Sequence, residues 1–230
     1  RSSQYNQLMN VMLYGMIIGL AASFIIMLLG IALDYRAVLL IWPITMILML
    51  FDLRYVSFSY AGGIVSLINL IFGWPKVDVS ALIAFIGVLH LMESLLIYLD
   101  GYRDNLPVLV EHKQFKPVGA YIMRKLWPVP LVILVTPEQW MGIGNGGGVA
   151  MPEWWPIFGP QGGDTAVLLL FPIVIALGYS DISLTLTPRE KTKEFGFWMG
   201  VYSLVILIMA VMSTGLVWMK YIAAIAMPAL

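Results

Sequence analysis

The stretch Val79-Ser-Ala-Leu-Ile-Ala-Phe-Ile-Gly-Val-Leu-His-Leu-Met-Glu-Ser-Leu-Leu-Ile-Tyr-Leu99 decides the class of this chain. It is apolar almost throughout and carries one histidine, His90, and one acid, Glu93. A helix needs about 20 mostly apolar residues to cross a bilayer, and this run supplies them. The rest of the chain agrees. Hydrophobic residues make up 60% and charged residues 11%, with a mean hydropathy of +0.89. A soluble domain carries roughly 25% charged residues. A chain of 230 residues cannot hide so large an apolar excess in one core. Formal charge is zero, so no basic field points to nucleic acid. There is no cysteine, which excludes disulfides and thiolate chemistry.

Working outward, Met9 to Ala32 reads as a first span and Ala37 to Phe51, with Pro43, as a second. Val56 to Trp74 is a third, Trp127 to Val135 a short fifth with two prolines, and Thr165 to Tyr179 a short sixth with Pro172. Phe195 to Met219 is a long seventh, and a further apolar run follows Lys220. The expected fold is an all-α polytopic membrane protein of six to eight transmembrane helices. Strands are not expected among the spans, since an open strand leaves backbone groups unpaired in hydrocarbon. One transmembrane domain is expected over residues 1–230, with polar loops at 100–126 and 180–194 and a Gly- and Trp-rich loop at 136–164. Arg103, Lys113, Lys116, Arg124 and Lys125 fall in the first polar loop, and Arg189, Lys191 and Lys193 in the second; 136–164 has no Lys or Arg. By the positive-inside rule the two basic loops and the N-terminus face the cytoplasm. The location this implies is a membrane, crossed several times, with the N-terminus on the cytoplasmic side.

His90 and Glu93 share a helix face, and an ionisable pair within a span is a functional hypothesis by default. A metal or proton site, or the centre of a transporter or intramembrane enzyme, is the sharp reading of the pair. The plainer one has Glu93 reaching the basic loop and His90 bonding a neighbouring helix through Asn69 or Ser66. A metal site needs three or four ligands, and His112 is the one other histidine. Gly15-x-x-x-Gly19-x-x-x-Ser23 and Gly196-x-x-x-Gly200 are small-residue motifs that let another helix approach closely, either within the chain or in a homodimer. Asn145-Gly-Gly-Gly148 lacks the Gly-Lys-Ser/Thr ending of a phosphate loop, and Trp140, Trp154 and Trp155 read as an aromatic belt. No Ser/His/Asp set or close carboxylate pair is present, so no catalytic residue and no cofactor is expected. Val108 to Glu111 and Phe115 to Ala120 form strand-like runs around Lys113-Gln114, a small β-hairpin on the cytoplasmic side. Glu111, Lys113, Gln114 and Lys116 are its candidate partner-binding residues. A cap over helix ends is the alternative use.

The runs His90-Leu-Met-Glu93, Leu96-Ile-Tyr-Leu-Asp-Gly101, Pro107-Val-Leu-Val110, Pro117-Val-Gly119 and Lys125-Leu-Trp-Pro-Val-Pro130 resemble the membrane region of PDZ-domain-containing proteins of Gram-positive bacteria, the division-site determinants of the MinJ type. The resemblance lies mainly in Leu89 to Val132, with weaker agreement at Arg189 to Ala229. It implies a non-enzymatic, multi-pass scaffold in a bacterial cytoplasmic membrane, with DivIVA-type and Min-type proteins as partners. It also implies a cytoplasmic PDZ domain after residue 230, in line with an apolar run Tyr221 to Leu230 that no polar tail closes.

Overall fold

The computed structural model describes residues 4–51, 58–112, 115–136, 152, 154–159 and 168–228, with the side chains of 49, 51 and 111–118 outside the description. In chain order its elements are α1 (Gln4–Leu29), β1 (Ala32–Asp34), α2 (Tyr35–Phe51), α3 (Phe58–Phe72), α4 (Val79–Asp100), β2 (Leu106–His112), β3 (Phe115–Thr136), β4 (Leu169–Ser183), α5 (Pro188–Gly215) and α6 (Val217–Ala226). Three of the described helices, α1, α4 and α5, are long and apolar enough to cross a membrane. The all-α expectation of six to eight spans is therefore wrong: the chain is mixed, with a four-stranded sheet beside its helices.

The physical reasons are local. Pro128 and Pro130 stand two residues apart. Inside a helix each would remove an N–H and clash with the preceding turn. A strand tolerates them wherever the missing N–H points away from a ladder. Trp127 to Val135, expected as a fifth span, is part of β3, and most of Thr165 to Tyr179, expected as a sixth, is β4. The two pair antiparallel without a break from Tyr121↔Ser183 to Val135↔Leu169. The expected second and third spans are helical, but as α2 and α3 they have 17 and 15 residues, short of a full crossing. Pro43 sits within α2. The β2–β3 pairing, Leu106↔Ile122 to His112↔Phe115, covers the expected hairpin, yet β3 continues far past it.

One face of the long β3–β4 ribbon is buried and the other is not. Met123, Trp127, Val129, Leu131 and Ile133 of β3, with Ile175, Leu177 and Tyr179 of β4, enter the core. The intervening Leu126, Leu170, Val174 and Ile182 are exposed. This is the period-two alternation of a strand, except that the exposed positions are apolar as well.

The core is built around α4, which is buried along nearly its whole length, as a helix apolar on all sides must be. Asp78 caps it, its carboxylate accepting from the amides of Ser80 and Ala81. Helix α5 lies antiparallel along α4 on a seam of small and polar residues. Ser213 Oγ meets Ser80 Oγ at 2.8 Å, and Ser94 Oγ donates to the Gly196 carbonyl at 3.0 Å. Thr187 and Glu190 close the start of α5 with a reciprocal capping box. The three long helices run up, down and up. Gln7 near the start of α1 reaches Asp104 just past the end of α4. At the other end Asp34 accepts from the Asp78 amide at 2.7 Å and from Thr136 Oγ1 at 3.2 Å.

Candidate functional site

Strand β3 is bordered by β4 along one edge. On its other edge β2 pairs as far as Ile122 and β1 from Leu134 to Thr136, which leaves a gap between them. Helix α1 fills that gap. A Cβ placed on Gly15 would stand 2.1 Å from the Pro128 carbonyl oxygen, and one on Gly19 2.0 Å from that of Pro130. Ser23 Oγ accepts the Val132 amide at 2.8 Å while donating to the Gly19 carbonyl. The steps match: four helical residues rise about 6 Å and two strand residues about 6.7 Å. Residues 128, 130 and 132 thus aim their backbone groups at α1. Two of them are prolines with no N–H to satisfy, and the third amide finds Ser23. Gly15 and Gly19 therefore face a strand. Gly196 and Gly200 face α4, at Ser94 and Tyr98.

The buried face of β3 also carries Lys125 and Trp127 to the end of α4. There Asp100 is fully buried, at a helix C-terminus, where the dipole disfavours an acid. Its Oδ2 accepts from Trp127 Nε1 at 3.0 Å and from Lys125 Nζ at 3.3 Å. Arg103 Nε lies 3.6 Å from Oδ1, an atom with no hydrogen-bond partner among the described residues. Lys125 Nζ also donates to Asp104 at 2.8 Å, and Asp104 accepts from Gln7 Nε2 at 2.8 Å. The cluster ties α1, the end of α4 and β3 together with two acids and two bases. The Arg103 pKa is raised above its ordinary value. A hydrogen bond with the Tyr102 side chain outweighs the opposing cost of burial, and nearby charges, Asp100 among them, add to it. A buried ion set of this kind is costly to break. It holds no nucleophile–base pair, so its chemistry is that of a staple which fixes the hairpin to the bundle. Sequence reasoning singled out none of these six side chains as a site. The usable signal was an acid closing an apolar span, with Lys125 opening the apolar run of β3.

The same end gathers the basic side chains. Arg124 is paired through the β3–β4 ladder with Ser180, Lys191 contacts Asp181 at 3.5 Å, and Arg189 and Lys193 lie against Tyr102 and Tyr98. At the opposite end Trp155 Nε1 donates to the Met27 carbonyl, and Trp154 is exposed. Trp140 and Asn145-Gly-Gly-Gly148 lie outside the described residues.

His90 Nδ1 is 3.4 Å from Glu93 Oε2, and its ring meets the Tyr202 ring edge-on at 5.9 Å. The bond to Asn69 or Ser66 is not formed: Asn69 donates to the Pro75 carbonyl, while buried Ser66 Oγ and His90 Nε2 have no hydrogen-bond partner among the described residues. No group of three or more potential metal ligands occurs among those residues. Of the candidate partner-binding residues, Glu111 sits in β2 and Lys116 in β3, their side chains undescribed. Lys113 and Gln114 lie outside the described residues.

No protein-family model matches the chain, and no solved structure matches it. Over 105 residues, 46% of its length, the chain is 30% identical to the cell division topological determinant MinJ of Bacillus subtilis (strain 168). The matched stretch is 23% of the length of that protein.

Proposed function

We propose that this chain is a membrane-embedded, non-enzymatic anchor that holds cytoplasmic proteins at a bacterial division site. The observation that carries the reading is the gathering of Arg103, Arg124, Lys125, Arg189, Lys191 and Lys193 at one end of three span-length helices. An excess of Lys and Arg faces the cytoplasm, so in this reading that end and the β2–β3 hairpin lie inside. The partial match to a division determinant supports the process, with DivIVA-type and Min-type proteins as partners.

In this account the Asp100 staple has a purpose. It fixes β2 and β3, the strands that carry Glu111 and Lys116, at a set position relative to the inner leaflet. A partner strand would add by β-augmentation to the edge of β2 that no described strand pairs. The test replaces residues 111–116 by a Gly/Ser linker and follows partner recruitment by fluorescence microscopy. Recruitment is lost while the chain stays in the membrane. It persists in His90→Ala and Glu93→Ala, which leave the hairpin intact. Normal recruitment with the linker would remove the docking role.

A further inference from the structure

Two cations at the basic end are held in place without a carboxylate partner. Arg189 and Lys193, one helical turn apart near the start of α5, make no ion pair among the described residues. Arg103, beside them, pairs with Asp100 at 3.6 Å. Tyrosine rings hold both of the unpaired cations. The Arg103 and Arg189 guanidiniums lie 5.8 and 5.6 Å from the centroid of the same Tyr102 ring. Arg103 also lies 5.4 Å from the Tyr14 ring, and Lys193 Nζ 5.6 Å from that of Tyr98. A ring face fixes a cation's position but accepts little from its N–H donors. The neighbouring acids do not intervene. Glu190 is turned back on Thr187, and Glu194 makes no ion pair among the described residues. Arg103, Lys125 and Lys191, by contrast, are each paired with a carboxylate.

The same helix face fixes the depth. Beyond Lys193 come Phe197 and Trp198, 60% and 63% exposed, their rings packed edge-on. Exposed Val201, Leu204, Val205, Ile208 and Val211 follow. Cations, then aromatics, then aliphatics is the order met on passing from a headgroup layer into hydrocarbon.

We infer that Arg189 and Lys193 form a binding site for the phosphodiester headgroup of an anionic phospholipid. The charge is complementary, the unused N–H donors suit phosphate oxygens, and the inner leaflet supplies anionic lipid at that depth. The inference rests on the membrane reading above.

The experiment reconstitutes the full chain in nanodiscs and measures motional restriction of spin-labelled phosphatidylglycerol against phosphatidylcholine. Phosphatidylglycerol is preferred, by about five-fold for each cation engaged. R189Q/K193Q brings its association close to that of phosphatidylcholine, whereas K191Q, which removes a cation already paired with Asp181, keeps the preference. Equal association of both lipids with the unaltered chain, or a preference that survives R189Q/K193Q, overturns the site while leaving the membrane reading in place. Absence of restricted lipid with either label overturns the membrane reading, and the site with it. A poly-glutamate peptide that binds through Arg189 and Lys193 without any lipid preference assigns the cations to an acidic protein segment and overturns the lipid site.

Discussion

Replacing Gly15 and Gly19 together by alanine sets two forces against each other. By helix propensity alone the change stabilises, since each Gly→Ala in a helix interior is worth up to about 1 kcal/mol. Packing says the reverse. The new methyls would lie 2.1 and 2.0 Å from the carbonyl oxygens of Pro128 and Pro130. Both obstacles are backbone in a paired strand and cannot rotate away. To reach ordinary contact, α1 and β3 must separate by about 1.3 Å, and overpacking of this kind costs about 1–3 kcal/mol per site. A separation of that size also breaks the 2.8 Å bond from the Val132 amide to Ser23, and an orphaned amide adds about 1–3 kcal/mol. The expected balance is a net loss of roughly 2–5 kcal/mol. The assay is unfolding in mixed micelles with increasing sodium dodecyl sulfate, read by circular dichroism. Gly215→Ala is the control: nothing lies within 4 Å of a Cβ there, so stability should be unchanged or slightly higher. A G15A/G19A chain as stable as the original would refute the placement of α1 on the open edge of β3.

Asp100→Ala takes from Lys125 one of its two acids, with Asp104 still at 2.8 Å, and orphans the buried Trp127 N–H; it should destabilise by about 2–4 kcal/mol in the same titration. Trp127→Phe, which loses a single donor to Asp100, should cost nearer 1–3 kcal/mol. Thr187→Ala opens the capping box of α5 and should cost about 1 kcal/mol, with a matching fall in melting temperature. Hydrogen exchange of the detergent-solubilised chain should alternate along β4. The amides of Ile173, Ile175 and Leu177 point into the ladder and stay protected, whereas those of Val174, Ala176 and Gly178 point outward and exchange quickly; uniform protection would mean that another strand covers this edge.

The long spans were legible because each carries its own evidence. Val79 to Leu99 is apolar over a full crossing, and in the structure α4 is the buried centre. Strands β3 and β4 were hidden for a physical reason. A half-buried strand announces itself by alternating apolar and polar residues, but here Leu126, Pro130, Leu170 and Val174 on the exposed face are apolar too. The run then looks like a short span. The overlooked signal was Pro128 and Pro130 two residues apart, which suits a strand edge and breaks a helix. The Gly15, Gly19 and Ser23 motif showed that something approaches α1 closely, but small-residue spacing does not say whether the neighbour is a helix or a strand. The Asp100 staple depends on contacts between residues far apart in sequence. Nothing local to Asp100 announces Trp127.

The membrane reading is tested most directly by topology labelling, for which a chain without cysteine is well suited. Single cysteines replace Lys76, exposed at the far end of α4, and Leu109, exposed on the β2–β3 hairpin. Right-side-out membrane vesicles are then treated with a membrane-impermeant maleimide. The account predicts that Lys76→Cys reacts at once and Leu109→Cys only after permeabilisation. Labelling of both from the same side, or release of the chain from the vesicles by alkaline carbonate, would contradict it.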